Sequence, residues 1–221
     1  MSIARPEVDR ARRIRRAFLE LVAERGFHAS MGAVAERAGV AAGTIYVHHA
    51  SKEALITAVY RELKRDLGAA AIAGIDPTAR PEHRFRVTWH NIFRHLNADP
   101  IRARFLVQVD ASPYAGVAHA AAVEDGEDPL VAAAAAPDMA PLLAALPAAV
   151  LYDLGFGSAI RLAARVDGSS DIMDGPATER LIDACWRAIT RDSLRRVSLP
   201  IRDARGEPAS RAGPGRSGRR R

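Results

Sequence analysis

The sequence of 221 residues has one cysteine, few aromatic residues and no long uncharged apolar run. The lone Cys185 cannot form an internal disulfide, a pattern typical of a reducing compartment. No run of about 18 apolar residues is available for a transmembrane helix, and the basic first residues lack the apolar segment of a signal peptide. We therefore expect a cytoplasmic protein without a membrane partner.

Motifs of common active sites are also missing. The seven histidines are scattered except for the pair His48-His49, and HExxH, CxxC and GxSxG do not occur. The carboxylates at 124–128 form an acidic run with no cationic residue beside it, which predicts a surface loop. We expect no catalysis, no metal site and no cofactor, and an enzyme is the first alternative to a binding protein.

The composition favours helices, and the charged residues are unevenly distributed along the chain. With 48% hydrophobic and 5% aromatic residues, the alanine-rich chain suits helices packed closely through small side chains. Residues 1–65 carry 12 Lys/Arg against 7 Asp/Glu, residues 66–201 carry 13 against 17, and residues 202–221 carry 7 against 2. A basic head on an acidic body suggests a polyanionic partner, although ordinary surface charge gives the same count.

Two short helices joined by a glycine turn are predicted near the N-terminus. The helix before them ends at Gly26 and buries an apolar stripe at helical spacing: Ile14, Phe18 and Leu21. Ser30 is the predicted N-cap of the next helix, and Gly39 ends it because a sharp turn commonly needs a positive φ. A third helix follows over residues 42–48. This is the layout of a helix-turn-helix, whose second helix fits the major groove of DNA.

A larger helical part follows. Ser51 caps a long fourth helix that reaches about Gly74, and Asp76-Pro77 marks a break. Proline and glycine punctuation predicts further helices over 81–97, 101–109, 112–123, 131–136, 147–166 and 177–197. We predict an all-α protein with a three-helix DNA-binding domain at 1–54, a ligand-binding and dimerisation domain at 55–199, and a disordered basic tail at 200–221.

The motifs from about Ile14 to Leu55 resemble the DNA-binding domain of the TetR family of transcriptional regulators. The matching elements are Gly26-Phe27, Val34-Ala35, Ala38-Gly39-Val40, Gly43-Thr44-Ile45-Tyr46, His48 and Ser51-Lys52-Glu53-Ala54-Leu55. The resemblance implies a homodimer with N-terminal DNA-binding heads at the nucleoid, and a palindromic operator whose repression a small-molecule effector relieves. His49 departs from the family pattern, which usually has a large apolar residue there. A histidine in that place should be neutral and hydrogen-bonded, or partly exposed.

The resemblance also indicates which residues meet DNA. Tyr46, His48 and Lys52 match positions that usually grip phosphates, and the first turn of the fourth helix favours an anion. The plainer interpretation of His48 is a solvated side chain. The whole set expected at DNA is Ser30, Ala41, Ala42, Gly43, Thr44, Tyr46, Val47, His48 and Lys52. Since few of these have long polar side chains, specificity should depend on DNA shape and on apolar contacts with thymine methyl groups.

The larger domain is expected to supply a dimer interface and a ligand pocket. The last two helices should form a four-helix interface through Leu151, Leu154, Ser158, Leu162, Ile182, Cys185 and Ile189, although a packed monomeric core would show the same pattern. Aromatic bulk with polar groups predicts a pocket at Trp89, His90, Phe93, Phe105 and Tyr114, which would otherwise fill the core. The second alternative function is a helical sensor that has lost specific DNA binding.

Overall fold

A computed structural model describes residues 4–124, 128–165 and 175–191 as a succession of helices. The head contains α1 (Ala4–Arg25), α2 (Met31–Ala38), α3 (Ala42–His48) and the start of the long α4 (Lys52–Ile72). The body adds α5 (Pro81–Asn97), α6 (Pro100–Asp110), α7 (Ala115–Glu124), α8 (Pro129–Ala134), α9 (Ala148–Ala163) and α10 (Gly175–Ile189). Short 3-10 turns cover Gly26–His28 and Ala140–Leu142. These ranges contain no β-strand, so the all-α prediction is confirmed. None of their helices is long and apolar enough to cross a membrane.

Local capping explains the turns of the head. The Ser30 hydroxyl accepts a hydrogen bond from the Ala33 N–H at 3.1 Å and begins α2, which Gly39 ends at a φ of +63°. The Ser51 hydroxyl accepts from the Ala54 N–H, also at 3.1 Å, and begins α4. Each cap satisfies a backbone donor that the first turn of a helix leaves unpaired. The predicted caps and the predicted span of α3 are therefore confirmed.

The head packs directly on the body. The predicted stripe of α1 is buried, and so is the stripe of α4 formed by Leu55, Val59, Leu63 and Leu67. An aromatic series then joins α1 to α6 and α7. The rings of Phe18 and Phe27 each lie 6.1 Å from that of Phe105, and Phe27 lies 5.3 Å from Tyr114, all in edge-on arrangements. Such pairs are favourable beyond the area they bury, so this junction is a packed interface.

Ion pairs cross the same junction. Arg15 Nε lies 2.5 Å from the Glu62 carboxylate of α4, and Arg16 lies 2.6 Å from the Asp99 carboxylate that precedes α6. Two arginines of the head thus have partners on the body. The count of basic residues in 1–65 consequently overstates the positive charge that a DNA phosphate would meet.

Several predicted boundaries shift, including the start of α7, which is Ala115 rather than residue 112. The last helix begins at Gly175, within the predicted loop 167–176, because Pro176 is compatible with the first turn of a helix. The helix predicted over 147–166 ends at Ala163, and the alanine-rich helix ends at Ala134 rather than residue 136. Residues 125–127 of the predicted acidic loop, the end of the last predicted helix beyond 191 and the predicted tail lie outside the described residues.

Candidate nucleic-acid interface and cavity

Helix α3 presents an exposed and largely apolar surface. Its single buried residue is Ile45, which is 0% exposed and anchors the helix in the core. Tyr46 and Val47 are 56% and 78% exposed, and residues 41–43 before them are exposed as well. Thr44 is half-buried and adds an aliphatic hydroxyl to this surface. Adjacent exposed apolar side chains on one helix are typical of a surface that contacts another macromolecule.

The other predicted DNA contacts have partners within the chain or are partly covered. Ser30 is exposed, but its hydroxyl oxygen already accepts the bond that caps α2. His48 is half-buried at the end of α3. Lys52 donates a hydrogen bond to the carbonyl of Phe27 and so joins the start of α4 to the turn after α1. A DNA phosphate would have to compete with that carbonyl for the Lys52 ammonium.

His49 is the departure from the family pattern, and the structure places it almost entirely inside the protein. The side chain is only 8% exposed, and its Nε2 has no hydrogen-bond partner among the described residues. Burial lowers the pKa of the imidazole, and the charge of Arg15 and the neighbouring His48 lower it further. The ring is therefore neutral at pH 7, as expected, but it is neither exposed nor hydrogen-bonded at Nε2.

Acidification should destabilise the protein in part through His49. Its pKa in the folded chain lies below the ordinary 6.5. As the pH falls below 6.5, the imidazole of the unfolded chain takes up a proton before that of the folded chain does, and the free energy of unfolding decreases. His49→Leu should flatten this decrease and add about 1 kcal/mol at neutral pH, because it removes a buried polar atom without a partner. Urea titrations between pH 7.5 and 5.5 measure both effects.

Two features of that experiment make it specific. His49→Gln cannot titrate but keeps polar atoms in the site, so it should flatten the pH dependence without the gain at neutral pH. Part of the dependence should remain in both variants, since burial also lowers the pKa of His95. A pH profile identical to that of the wild type in His49→Leu would contradict the assignment.

The five residues predicted to form a pocket all have packing or polar partners among the described residues. Trp89 and Phe105 are 0% exposed within the core. Phe93 stacks on Trp89 at 5.7 Å between ring centroids, and Tyr114 belongs to the aromatic series between head and body. His90 lies 3.0 Å from a carboxylate of α10. Aromatic bulk at helical spacing does not distinguish a ligand site from a core, and here these side chains serve packing.

A cavity of about 450 Å³ lies elsewhere in the body, and none of those five residues lines it. It is bounded by the end of α4, the first half of α5, α8 and the start of α9. Its apolar wall includes Ile72, Phe85, Leu130, Leu143, Leu151 and Phe156. Arg84, Thr88, Asp128 and Tyr152 supply the main polar groups. Both the volume and the mixture of an apolar wall with a few polar groups are typical of small-molecule sites.

The polar wall of this cavity is joined to α4 through Lys64. The Lys64 ammonium donates to the Tyr152 hydroxyl at 3.3 Å, lies 3.6 Å from the Asp128 carboxylate, and sits 4.4 Å from the centre of the Tyr152 ring. Burial acts to lower the pKa of Lys64, but Tyr152 and Asp128 outweigh it and the pKa is raised. Lys64 is therefore charged. Our expectation that the carboxylates of 124–128 have no cationic partner is wrong for Asp128.

A second contact brings the cavity wall against α4. A Cβ atom at Gly68 would lie 3.1 Å from Cδ of Pro129, so the absence of a side chain lets the start of α8 approach α4 closely. Pro129 lines the cavity beside Asp128. A displacement of this wall would therefore displace α4, through direct packing and through the contacts of Lys64.

Several residues predicted at the dimer interface face the interior of the protomer. Ile182, Cys185 and Ile189 are 0%, 7% and 5% exposed, and Ile189 with Leu151 lines the cavity. The Ser158 hydroxyl accepts from the Trp89 indole at 3.1 Å and lies 3.3 Å from the Cys185 thiol. These assignments are corrected, because the amphipathic faces of α9 and α10 cover the protomer's own core.

The opposite face of α9 is the one exposed to solvent. Val150 and Leu154 are 39% and 41% exposed, and Leu162 further along the helix is half-buried. Gly157 follows Val150 and Leu154 at helical spacing and is itself buried, although a Cβ atom there would meet nothing within 4 Å. We call the three residues Val150, Leu154 and Gly157 the outer stripe of α9.

Comparisons with known proteins cover both parts of the chain. Residues 14–59 match the family model of bacterial regulatory proteins of the tetR family, and residues 81–190 match a tetracyclin repressor-like C-terminal domain. Among solved structures, the chain is similar to a TetR-family transcriptional regulator from Haemophilus influenzae. That pair shares 26% sequence identity with a TM-score of 0.67, over 85% of this chain and 100% of the other.

Two further structures show the same likeness. A TetR-family protein from Vibrio parahaemolyticus is 26% identical with a TM-score of 0.61, over 82% of this chain and 99% of its own. A TetR-family transcription regulator from Marinobacter aquaeolei is 20% identical with a TM-score of 0.68, over 85% and 99% of the two chains, and supports the fold alone.

Proposed function

Because the chain belongs to the TetR family of bacterial transcriptional regulators, we propose that it represses transcription from a palindromic operator and is released by a small-molecule effector. The observation that carries the DNA-binding part is the exposed apolar surface of α3, held on the core by Ile45. We further propose that the protein acts as a homodimer in the cytoplasm, at the nucleoid, without a catalytic role of its own.

DNA recognition is assigned to the surface of α3 and the residues that flank it. Ala41, Ala42 and Val47 offer apolar contact to thymine methyl groups. Gly43 permits close approach of the backbone to DNA, and Thr44 offers a hydroxyl. Tyr46, His48 and Lys52 are assigned to phosphates. Lys52 would give up its hydrogen bond to the Phe27 carbonyl and donate to a DNA phosphate instead. Specificity then rests largely on DNA shape. A base-substitution scan of the operator tests this point, since large losses confined to guanine positions would contradict it.

Binding to genomic DNA fragments tests the proposal as a whole. Purified protein is titrated against a fragment pool at two salt concentrations, with excess competitor DNA. We expect a protected palindromic site that survives competition. Binding that disappears with competitor at moderate salt would reflect phosphate attraction alone. That result would favour a helical sensor that does not recognise an operator.

Tyr46→Ala should weaken operator binding about 30-fold, because a dimer loses two phosphate hydrogen bonds that contribute roughly 1 kcal/mol each. The side chain is 56% exposed, so the fold should be unaffected. Fluorescence anisotropy with labelled operator measures the affinity, and Val117→Ala on α7 is the matched control, since Val117 is 60% exposed far along the chain. Tyr46→Phe keeps the ring and removes the hydroxyl, and so distinguishes the contributions of these two groups to the affinity. Unchanged affinity in Tyr46→Ala would exclude this residue from the interface.

The outer stripe of α9 is proposed as the dimer contact. Its two aliphatic side chains are exposed in the protomer, and Gly157 leaves room for a partner helix to approach closely. Two operator half-sites need two heads in fixed register, which a symmetric contact through α9 would provide. Of the residues that the sequence indicated, Leu154 remains in this assignment, whereas Leu162 packs against the protomer's own core.

The effector is assigned to the cavity of the body, and α4 is assigned to transmit its binding. An effector relieves repression only if it prefers a conformation that DNA disfavours. Lys64 and Gly68 place α4 in contact with the cavity wall. The same helix begins at Lys52, which is bonded to the Phe27 carbonyl of the head. A displaced wall would therefore shift the heads through one continuous helix.

Lys64→Met should reduce effector-induced release of the operator while preserving operator binding without effector. Methionine keeps the length and apolar stem but removes the contacts with Tyr152 and Asp128. Titration of effector against the protein–operator complex gives the concentration for half-release, which we expect to rise by about tenfold. Ala69→Met, which places the same side chain at an exposed position of α4, is the control. Equal release by wild type and Lys64→Met would contradict a role for this contact.

A further inference from the structure

Each charged group in the cavity wall already has a counter-ion on the protein. Arg84 pairs with the Asp138 carboxylate, and Asp128 pairs with Lys64 at 3.6 Å. Among the described residues that line the cavity, no other residue carries a charge. A charged ligand would lose its hydration here without gaining a free partner, which is costly in an apolar site. The charge balance of the wall therefore favours an uncharged ligand.

One hydrogen-bond donor of the wall is nevertheless left over. The Tyr152 hydroxyl accepts from Lys64, and no described group of the protein accepts its own hydrogen. A phenol can donate and accept at the same time. The Thr88 hydroxyl is already used, since it donates to the Arg84 carbonyl at 2.9 Å. Arg84 Nε has no partner either, but it is enclosed by protein atoms and lies out of reach.

We infer that the cavity takes an uncharged, largely apolar molecule with a hydrogen-bond acceptor, such as a carbonyl oxygen, which accepts from the Tyr152 hydroxyl. The identification of this molecule as an effector rests on the proposed function. The acceptor would be one hydrogen bond away from Lys64, so the ligand, Tyr152, Lys64 and α4 would form a continuous series. This arrangement gives the ligand's polar atom a direct effect on the helix that carries the head.

A set of probes with equal chain length tests the chemical class. Isothermal titration calorimetry of the full protein without DNA compares a nine-carbon methyl ketone with the carboxylate and the ammonium of the same length. We expect the ketone to bind at least about tenfold more tightly than either charged probe. Equal or tighter binding of the carboxylate or the ammonium, or no binding of the ketone, would overturn the inference.

Two variants locate the binding. Tyr152→Phe keeps the ring and should weaken the ketone about fivefold, which is the usual contribution of one neutral hydrogen bond. The same variant should leave the affinity for an acceptor-free alkene of equal length unchanged. Ala134→Phe places a large side chain at a half-buried position of the wall and should abolish ketone binding by filling the cavity. Full affinity in either variant for the ketone would place the ligand elsewhere.

Operator release is measured separately and decides the proposed function. If the ketone binds as expected but the protein–operator complex is unaffected at saturation, the chemical class stands and the effector role fails. If the protein binds its operator but no uncharged probe binds the cavity, the inference fails and the DNA-binding role stands.

Discussion

Replacing Leu154 by arginine is expected to turn the dimer into a monomer and to weaken operator binding by at least about 100-fold. Leu154 is 41% exposed at the centre of the outer stripe of α9, and an interface there would place two arginines against each other in an apolar contact. A single head then binds one half-site. The gain from holding two heads together, typically a factor of about 100 to 10,000, would be lost.

Size-exclusion chromatography with light scattering gives the mass, and anisotropy with the palindromic operator gives the affinity. Val117→Arg introduces the same charge at another exposed aliphatic residue and should change neither result. Circular dichroism should show unchanged helicity for both variants, because both positions are on the surface of the protomer. A dimeric Leu154→Arg variant with full affinity would move the interface away from the outer stripe.

Replacing Trp89 by alanine is expected to lower the free energy of unfolding by about 3–5 kcal/mol, the usual loss for a large buried aromatic residue. Trp89 is 0% exposed, stacks on Phe93 at 5.7 Å, and donates from its indole to Ser158 at 3.1 Å. It thus joins α5 to α9 through both packing and a hydrogen bond. Alanine would leave a cavity and an unused hydroxyl at the crossing of these helices.

Urea unfolding followed by circular dichroism measures this loss at one fixed protein concentration, because dimerisation adds to the apparent stability. Trp186→Ala should cost clearly less, since Trp186 is only half-buried. Trp89→Phe should retain most of the packing and lose about 1–2 kcal/mol through the missing hydrogen bond and reduced volume. A loss below about 1 kcal/mol in Trp89→Ala would show that this part of the core is loosely packed.

The head could be predicted from the sequence because its signals are local. A serine cap at Ser30, a glycine with positive φ at Gly39 and a second cap at Ser51 each act within four residues of the chain. Three such signals in order define the lengths of α2 and α3. The exposure of α3 fits the same pattern, since Ile45 is the one buried residue of this helix.

The orientation of the body helices depends on distant partners, and prediction succeeded less well there. Leu154 and Ile182 both belong to apolar patterns of the last two helices, but only Leu154 is exposed. The packing of neighbouring helices determines which apolar residues are covered. A Cβ at Gly155 would lie 3.3 Å from Phe85, so α5 packs closely on the side of α9 that contains Gly155. Hydrophobic periodicity gives an apolar face but does not say which partner covers it.

The polar side of the cavity could not be predicted for a related reason. Lys64, Asp128 and Tyr152 come from α4, the start of α8 and α9, and nothing in their spacing along the chain connects them. Each would be expected on a solvated surface when considered alone. Their association depends on the short α8 approaching α4 at Gly68, a contact between segments far apart in sequence.

The aromatic residues beside the cavity give the protein an intrinsic optical reporter. The indole of Trp186 lies 5.3 Å from the ring of Phe85, which stacks at 5.1 Å on Phe156, and both phenylalanines line the cavity. A molecule that enters would change the surroundings of Trp186 and hence its emission, whereas Trp89 is fully enclosed and contributes a steady background. Compound collections can therefore be screened by the protein's own fluorescence, without a label, before any operator is known.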